Sequence, residues 1–241
     1  FDSFSCRFAK STHAGVKRLA EFVKKESKNY SRNVFILKCD VKQFFYSIDH
    51  KIISDLVKAQ IKDEQVLALI EKIIRSFCTS PDKGLPLGNV TSQLLANVYL
   101  NELDQFVKHV LKEKYYIRYC DDFIIVSRDL AHLENLIPKL GEFLQNKLQL
   151  TLHPRKIEIR KLRQGIDFLG YVTLPYYRVL RTKTKKRMFK KIKKKVEEFN
   201  ESLLTDFELN QSAQSYLGML KHCQGYNLET KLKNEIWLNR E

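Results

Sequence analysis

"YYIRYCDDFIIVSRD", Tyr115 to Asp129, sets two adjacent carboxylates between two runs that otherwise read as buried strand. An unpaired charge buried there would be strongly destabilising. Two like charges side by side repel, and one tends to take up a proton. Something must neutralise Asp121 and Asp122, and a divalent cation is the expected candidate. The flanks YYIRY and FIIVS predict a hairpin with the carboxylates at or beside its turn.

Outward from this hairpin, NVFILKCDV is a second short apolar run rich in β-branched residues. It reads as a buried strand ending at Asp40. If the strands are neighbours, Asp40, Asp121 and Asp122 converge on one sheet edge. Such hard oxygen ligands suit Mg²⁺, which keeps water and recruits substrate phosphates to complete its shell. Two ions about 3.5–4 Å apart can activate an attacking hydroxyl and stabilise a leaving phosphate. For a bare DD pair the plain alternative is a solvated turn.

Apolar spacing predicts helices over 12–28, from about Asp49, over 64–77, 91–112 and 130–147. The 64–77 helix carries Val66, Leu69, Ile70, Ile73 and Ile74 on one face. TSPDKGLPLGN reads as a loop. RKIEIRKL and IDFLGYVTL read as short strands with a turn between them. Beyond Lys183 the chain is dense in Lys and Arg and continues into two helical segments, which puts a subdomain boundary near Pro175. Strands do not alternate strictly with helices, so an antiparallel α+β sheet is favoured over a doubly wound parallel one.

The chain has 241 residues, is 44% hydrophobic and carries a formal net charge of +15. That charge points to a polyanionic partner. No apolar run of about 18 residues predicts a membrane-spanning helix. The first residue is Phe1 rather than Met, so an N-terminal segment is expected to be missing. Cys6, Cys39, Cys78, Cys120 and Cys223 form no CxxC pair, and the six histidines lack ligand spacing. Free thiols in a reducing cytoplasm are expected, and a zinc site is disfavoured.

Five stretches, in order, resemble the motifs of reverse transcriptases. YCDD is similar to their YxDD box, and ILKCDVKQFFYSIDH to their first catalytic motif. GLPLGNVTSQLLANVYLNELD resembles the nucleotide loop and the helix behind the palm. HPRKIEI is similar to the later lysine motif and FLGY to the primer-grip turn. The resemblance implies a right-hand polymerase with fingers at 1–33 and 55–83, a palm at 34–54 and 84–175, and a helical thumb at 176–241. It implies Asp40, Asp121 and Asp122 as catalytic carboxylates. Asp40 and Asp121 are the foremost ligands of two Mg²⁺ ions, for which Mn²⁺ substitutes, with the Val41 carbonyl added. It places Phe45 under the incoming sugar, where a flat ring rejects a 2′-OH, and Phe44 in the core. Leu87, Gly88 and Gln93 fall in the nucleotide loop, and Arg7 and Lys10 fall where the family clamps the triphosphate. Lys156 is implied as the neutraliser or proton donor of pyrophosphate. Phe168, Leu169, Gly170 and Tyr171 match the primer grip. Arg181, Lys183, Lys185, Lys186, Arg187, Lys190, Lys191, Lys193, Lys194 and Lys195 would surround the thumb helix rather than form one stripe, and of these Lys183, Lys185, Lys186, Arg187, Lys190, Lys191 and Lys194 would follow template–primer phosphates.

The common nucleotide loop has Gln before the Gly and Pro after the Ser, whereas this chain has Leu87 and Gln93. That departure, with QSYLGMLKHCQGYNL near the C-terminus, resembles the reverse transcriptases of diversity-generating retroelements. Those relatives imply error-prone cDNA synthesis from an RNA template, a DNA primer, dNTPs, a small basic oligomeric accessory protein and a prokaryotic host. Retron, group II intron and defence-associated enzymes are the related alternatives, including template-independent nucleotidyl transferases. A catalytically idle nucleic-acid-binding subunit is a further one. The family's first finger motif is expected ahead of Phe1.

Overall fold

A computed structural model of the chain describes residues 2–239; positions 1 and 240–241 of the expected finger and thumb segments lie outside them. Helix α1 (Thr12–Glu26) starts at Ser11, whose hydroxyl accepts from the Ala14 amide, and ends on Lys24 and Lys25, which suit the negative end of the helix dipole. Strand β1 (Phe35–Asp40) leads to a single turn, α2 (Phe44–Ser47). Asp49 caps α3 (His50–Gln60) by accepting from the amides of Lys51 and Ile52. Asp63 caps α4 (Glu64–Arg75), and Asn89 caps α5 (Val90–Gln105). The last turn of α5 runs into a π-helical segment, Phe106–Val110, whose Phe106 ring stacks on Phe143 at 4.1 Å. There follow β2 (Tyr116–Tyr119), β3 (Asp122–Ser127), α6 (Leu130–Leu148) and β4 (Glu158–Lys161). The remainder is β5 (Ile166–Phe168), β6 (Tyr171–Thr173), β7 (Arg178–Leu180), α7 (Thr182–Asn200), α8 (Asp206–Leu220) and α9 (Tyr226–Trp237).

The chain divides into two compact units between Lys161 and Leu162. The first is built on a sheet of order β2-β3-β1-β4, antiparallel at every pairing. Alternation along the strands gives it two apolar faces. Leu37, Cys39, Tyr116, Phe123 and Ile125 join one core with Leu95, Tyr99 and Leu103 of α5 and Leu136, Leu140 and Leu144 of α6. Ile36, Ile117, Ile124 and Val126, of opposite parity, are buried on the other side, where α1 packs on β2 and β3. Both faces are covered, so the strands read as near-continuous apolar runs.

The second unit holds a separate antiparallel sheet, β5-β6-β7, and the mutually packed helices α7, α8 and α9. Leu169 and Gly170 join β5 to β6 with φ of 52° and 89°. Both lie in the left-handed region, as in the two-residue turns whose twist matches a hairpin. Glycine adopts that backbone freely; leucine does so at a cost.

Several expectations change. RKIEIRKL does not pair with IDFLGYVTL: β4 adds to the edge of β1, and IDFLGYVT is itself a hairpin. The two compact units divide after Lys161, ahead of the subdomain boundary read near Pro175. The short strand β7 departs from the expected run of helices beyond Pro175. The α4 face is only partly covered, because Ile74 is buried whereas Val66 and Leu69 are exposed. Among the described residues no helix is long and apolar enough to cross a membrane.

Candidate active site

The register of the first sheet decides the geometry. Asp40 at the end of β1 stands directly opposite Asp122 at the start of β3, so their side chains share one face. Cys120 and Asp121 form the two-residue turn between β2 and β3, with Cys120 at φ 55°. The Asp121 carbonyl accepts from the Val41 amide at 3.3 Å, which ties the turn to the residue after Asp40. The three aspartates expected to meet are thus at one end of the sheet.

Two lysines neutralise part of this charge. Lys156 Nζ lies 2.9 and 2.8 Å from the two Asp40 oxygens, and Asp40 in turn raises the Lys156 ammonium above its usual range. Lys38 Nζ is 3.3 Å from Asp122 Oδ2. Sequence reading assigned Lys156 to pyrophosphate and overlooked Lys38. The signal for Lys38 was its parity, since it lies two residues before Asp40 on the same face of β1.

Asp122 is therefore held in an ion pair. Among the described residues no three His, Cys, Asp or Glu side chains close into a metal cage. Asp40 and Asp121 offer a partial, oxygen-only donor set, the kind Mg²⁺ takes when water and substrate phosphates supply the rest. Burial lifts the Asp121 carboxyl above its ordinary range and the Asp40 charge adds to this, against its own backbone amide and Lys156. Asp122 Oδ1 is buried without a hydrogen-bond partner. A cation here would relieve the repulsion, so these residues fit a divalent metal. Cys39 and Cys120 are pushed up to about 12, chiefly by burial, so their thiols stay protonated near neutrality.

Burial pushes the Asp122 carboxyl up to about 6, with Asp40 and Asp121 adding to the lift and Lys38 opposing it. Its folded value lies above its unfolded one, so its stabilising contribution is complete below about pH 4 and is lost as the pH rises through about 6. In chelator, the unfolding free energy of the protein relative to Asp122→Asn should fall by about 1–3 kcal/mol between pH 4 and 7. Urea titrations at the two pH values test this; a pH-independent difference would assign the shift elsewhere.

The other sequence candidates fall as follows. Phe44 is buried and Phe45 half-buried, with ring centroids 5.3 Å apart. His50 of the IDH triplet bonds the Gly84 carbonyl at 2.7 Å, so Asp49 and His50 serve the fold as cap and tether. Leu87 is 57% exposed, and Gly88 has φ 86° with open space where a Cβ would stand. Gln93 accepts from the Cys6 thiol at 3.0 Å. Arg7 is exposed, with Nη1 donating to the Ser3 carbonyl, and Lys10 lies 4.5 Å over the Phe4 ring.

In the second unit Phe168 and Tyr171 are buried, and the Tyr171 hydroxyl donates to the Met219 carbonyl. Only the Leu169–Gly170 tip of FLGY remains half-exposed. Met188, Ile192 and Val196 form the buried stripe of α7. At 3.6 residues per turn, Lys183, Lys186, Arg187, Lys190 and Lys194 fall within an arc of about 100° opposite that stripe. They share one exposed face, while Lys185 and Lys191, also exposed, lie outside it, so the basic residues occupy more than one side of the helix.

Known proteins agree with this fold. The chain is 27% identical over 200 residues to the group II intron-encoded protein LtrA of Lactococcus lactis, covering 55% of this chain and 33% of LtrA. It is 34% identical over 120 residues to the retron Ec73 reverse transcriptase of Escherichia coli, covering 44% of this chain and 36% of that protein. The chain spans less than half the length of the curated relatives it matches first. Apo telomerase from Candida tropicalis superposes over 96% of this chain and 48% of its own, with a TM-score of 0.62 at 12% identity. Residues 1–173 match the family model described as reverse transcriptase (RNA-dependent DNA polymerase). The chain, an α+β protein with its paired aspartates at the end of an antiparallel sheet, belongs to the reverse transcriptase family.

Proposed function

We propose that this chain is an RNA-directed DNA polymerase that joins a dNTP to a primer 3′-OH on an RNA template. The observation that carries this reading is the opposition of Asp40 and Asp122 across β1 and β3, with Asp121 in the adjoining turn. Asp40, Asp121 and the Val41 carbonyl would hold two Mg²⁺ ions, or Mn²⁺ in their place, which supply activation of the 3′-OH and charge stabilisation at the leaving phosphate. Lys156, kept protonated beside Asp40, is the chain's own candidate acid for the departing pyrophosphate. The half-buried Phe45 ring would meet the incoming sugar and exclude a 2′-OH. Arg7, Lys10, Leu87, Gly88 and Gln93 would border the nucleotide, and the Leu169–Gly170 tip would meet the primer backbone. In this reading 1–33 and 55–83 are fingers, 34–54 and 84–175 palm, and 176–241 thumb. Primer extension on a defined RNA with dNTPs and Mg²⁺, followed by product sequencing, tests it. Products that ignore the template would favour a template-independent transferase.

Within the family, Leu87 and Gln93 support an error-prone enzyme of a diversity-generating retroelement, of prokaryotic origin and served by a small basic accessory protein. The matches to LtrA and the retron enzyme favour the second reading, a group II intron or retron polymerase. Leu87 separates the two. Leucine neither donates nor accepts a hydrogen bond, so it checks a nascent base pair by packing alone. A positioned hydrogen bond contributes on the order of 1 kcal/mol to discrimination. Leu87→Gln should therefore lower misincorporation by about fivefold with a smaller effect on total synthesis, most visibly opposite template adenine, the error site that the resemblance to diversity-generating enzymes implies. The check is to sequence cDNA made by both versions from one RNA; coincident error spectra would favour the intron or retron reading.

A further inference from the structure

The turn that carries Asp121 is braced from behind by a buried charge. Arg118 of β2 is 1% exposed. Its Nε and Nη2 donate to the Asp104 oxygens of α5 at 2.7 and 2.6 Å, a bidentate pair. The Tyr116 hydroxyl adds a bond to Asp104 Oδ1 at 2.7 Å. Arg118 Nη1 donates to the Cys120 carbonyl at 3.0 Å and lies 3.4 Å from Asn97 Oδ1, also on α5. Its own backbone is held on the outer side by the N-terminal segment: the Phe4 amide donates to the Arg118 carbonyl, and the Arg118 amide to the Asp2 carbonyl.

The Cys120 carbonyl belongs to the peptide that joins Cys120 to Asp121. Cys120 has φ 55°, a conformation uncommon outside glycine, so something must hold the turn there. Stability alone is a weak reason for this arrangement, because apolar residues of similar volume often replace a buried ion pair without loss. Apolar residues could not hold the carbonyl. Nor could lysine, whose single ammonium lacks the planar fork needed to satisfy Asp104 and Cys120 together.

We propose that Arg118 is a positioning residue that couples Asp104 of α5 to the Cys120 carbonyl and so holds Asp121 in its productive place. This rests on the catalytic reading of Asp121. A small misplacement of a catalytic group is costly in rate, whereas ground-state binding of nucleotide is made by other residues.

Arg118→Lys tests the coupling, since it keeps a positive partner for Asp104 and loses the fork. Per folded molecule, kcat should fall by about tenfold to a hundredfold while KM for dNTP stays within about threefold. Mn²⁺ binding without substrate, followed by electron paramagnetic resonance, should weaken in parallel. If Arg118→Lys does not fold, the double variant Asp104→Asn/Arg118→Gln, which removes both buried charges, decides by the same readouts. Wild-type Mn²⁺ affinity together with activity that scales only with the folded fraction, in whichever variant folds, overturns the proposal. Asp121→Asn run alongside separates the two levels: if it remains active, the catalytic reading itself fails, whereas an inactive Asp121→Asn beside a fully active Arg118 variant removes only the role of Arg118.

Discussion

Asp121→Asn is expected to cut Mg²⁺-dependent DNA synthesis by about a thousandfold or more, since a metal site contributes several kcal/mol of charge stabilisation to the transition state. The amide keeps the shape of the side chain and the turn's hydrogen bond from Val41 to the main-chain carbonyl. It removes the negative charge. Burial and the neighbouring Asp40 already disfavour that charge in the metal-free protein, so the variant should be as stable as the wild type or more so. Activity and stability thus move independently, and a melting curve with a primer-extension time course separates them. Near wild-type synthesis would remove Asp121 from the metal site.

The second large effect concerns binding. Changing Lys183, Lys186, Arg187 and Lys190 to Gln should weaken template–primer affinity by about one to two orders of magnitude near physiological salt. All four are exposed and lie opposite the buried stripe of Met188, Ile192 and Val196, so helix packing should survive. If each contacts one phosphate, the slope of log K against log salt should flatten by about 0.7–0.9 per residue. Fluorescence anisotropy across a salt series measures both quantities. A weaker complex with an unchanged slope would mean the helix itself was damaged.

Much of the first sheet was legible because β1, β2 and β3 are mostly apolar on both faces and the runs break at Asp40 and at the Asp121–Asp122 pair. Asp40, Asp121 and Asp122 stood out as charges where the pattern called for none. β4 was misread because Glu-Ile-Arg-Lys offers only one apolar side chain to fix a register, and the open edge of β1 decides its pairing. β7 has three residues and follows Tyr176, whose φ of 67° marks a turn that local composition does not announce. The π-helical segment after Gln105 interrupts the 3.6-residue period on which helix prediction depends. Arg118 shares the parity of the buried Tyr116, so a buried charge was readable; its partner Asp104, on another element, was not.

The lysines on the aspartates bear on how such a protein can be made and stored. With Lys156 seated on Asp40 and Lys38 on Asp122, the chain brings its own counter-ions to the site. Assembly of the fold then has no need to wait for an ion, in contrast to small domains whose metal is the last stone of the arch. Purification in chelator should yield folded protein, ready to be charged on demand. The divalent ion is in that sense a reagent, added to a fold that is already complete.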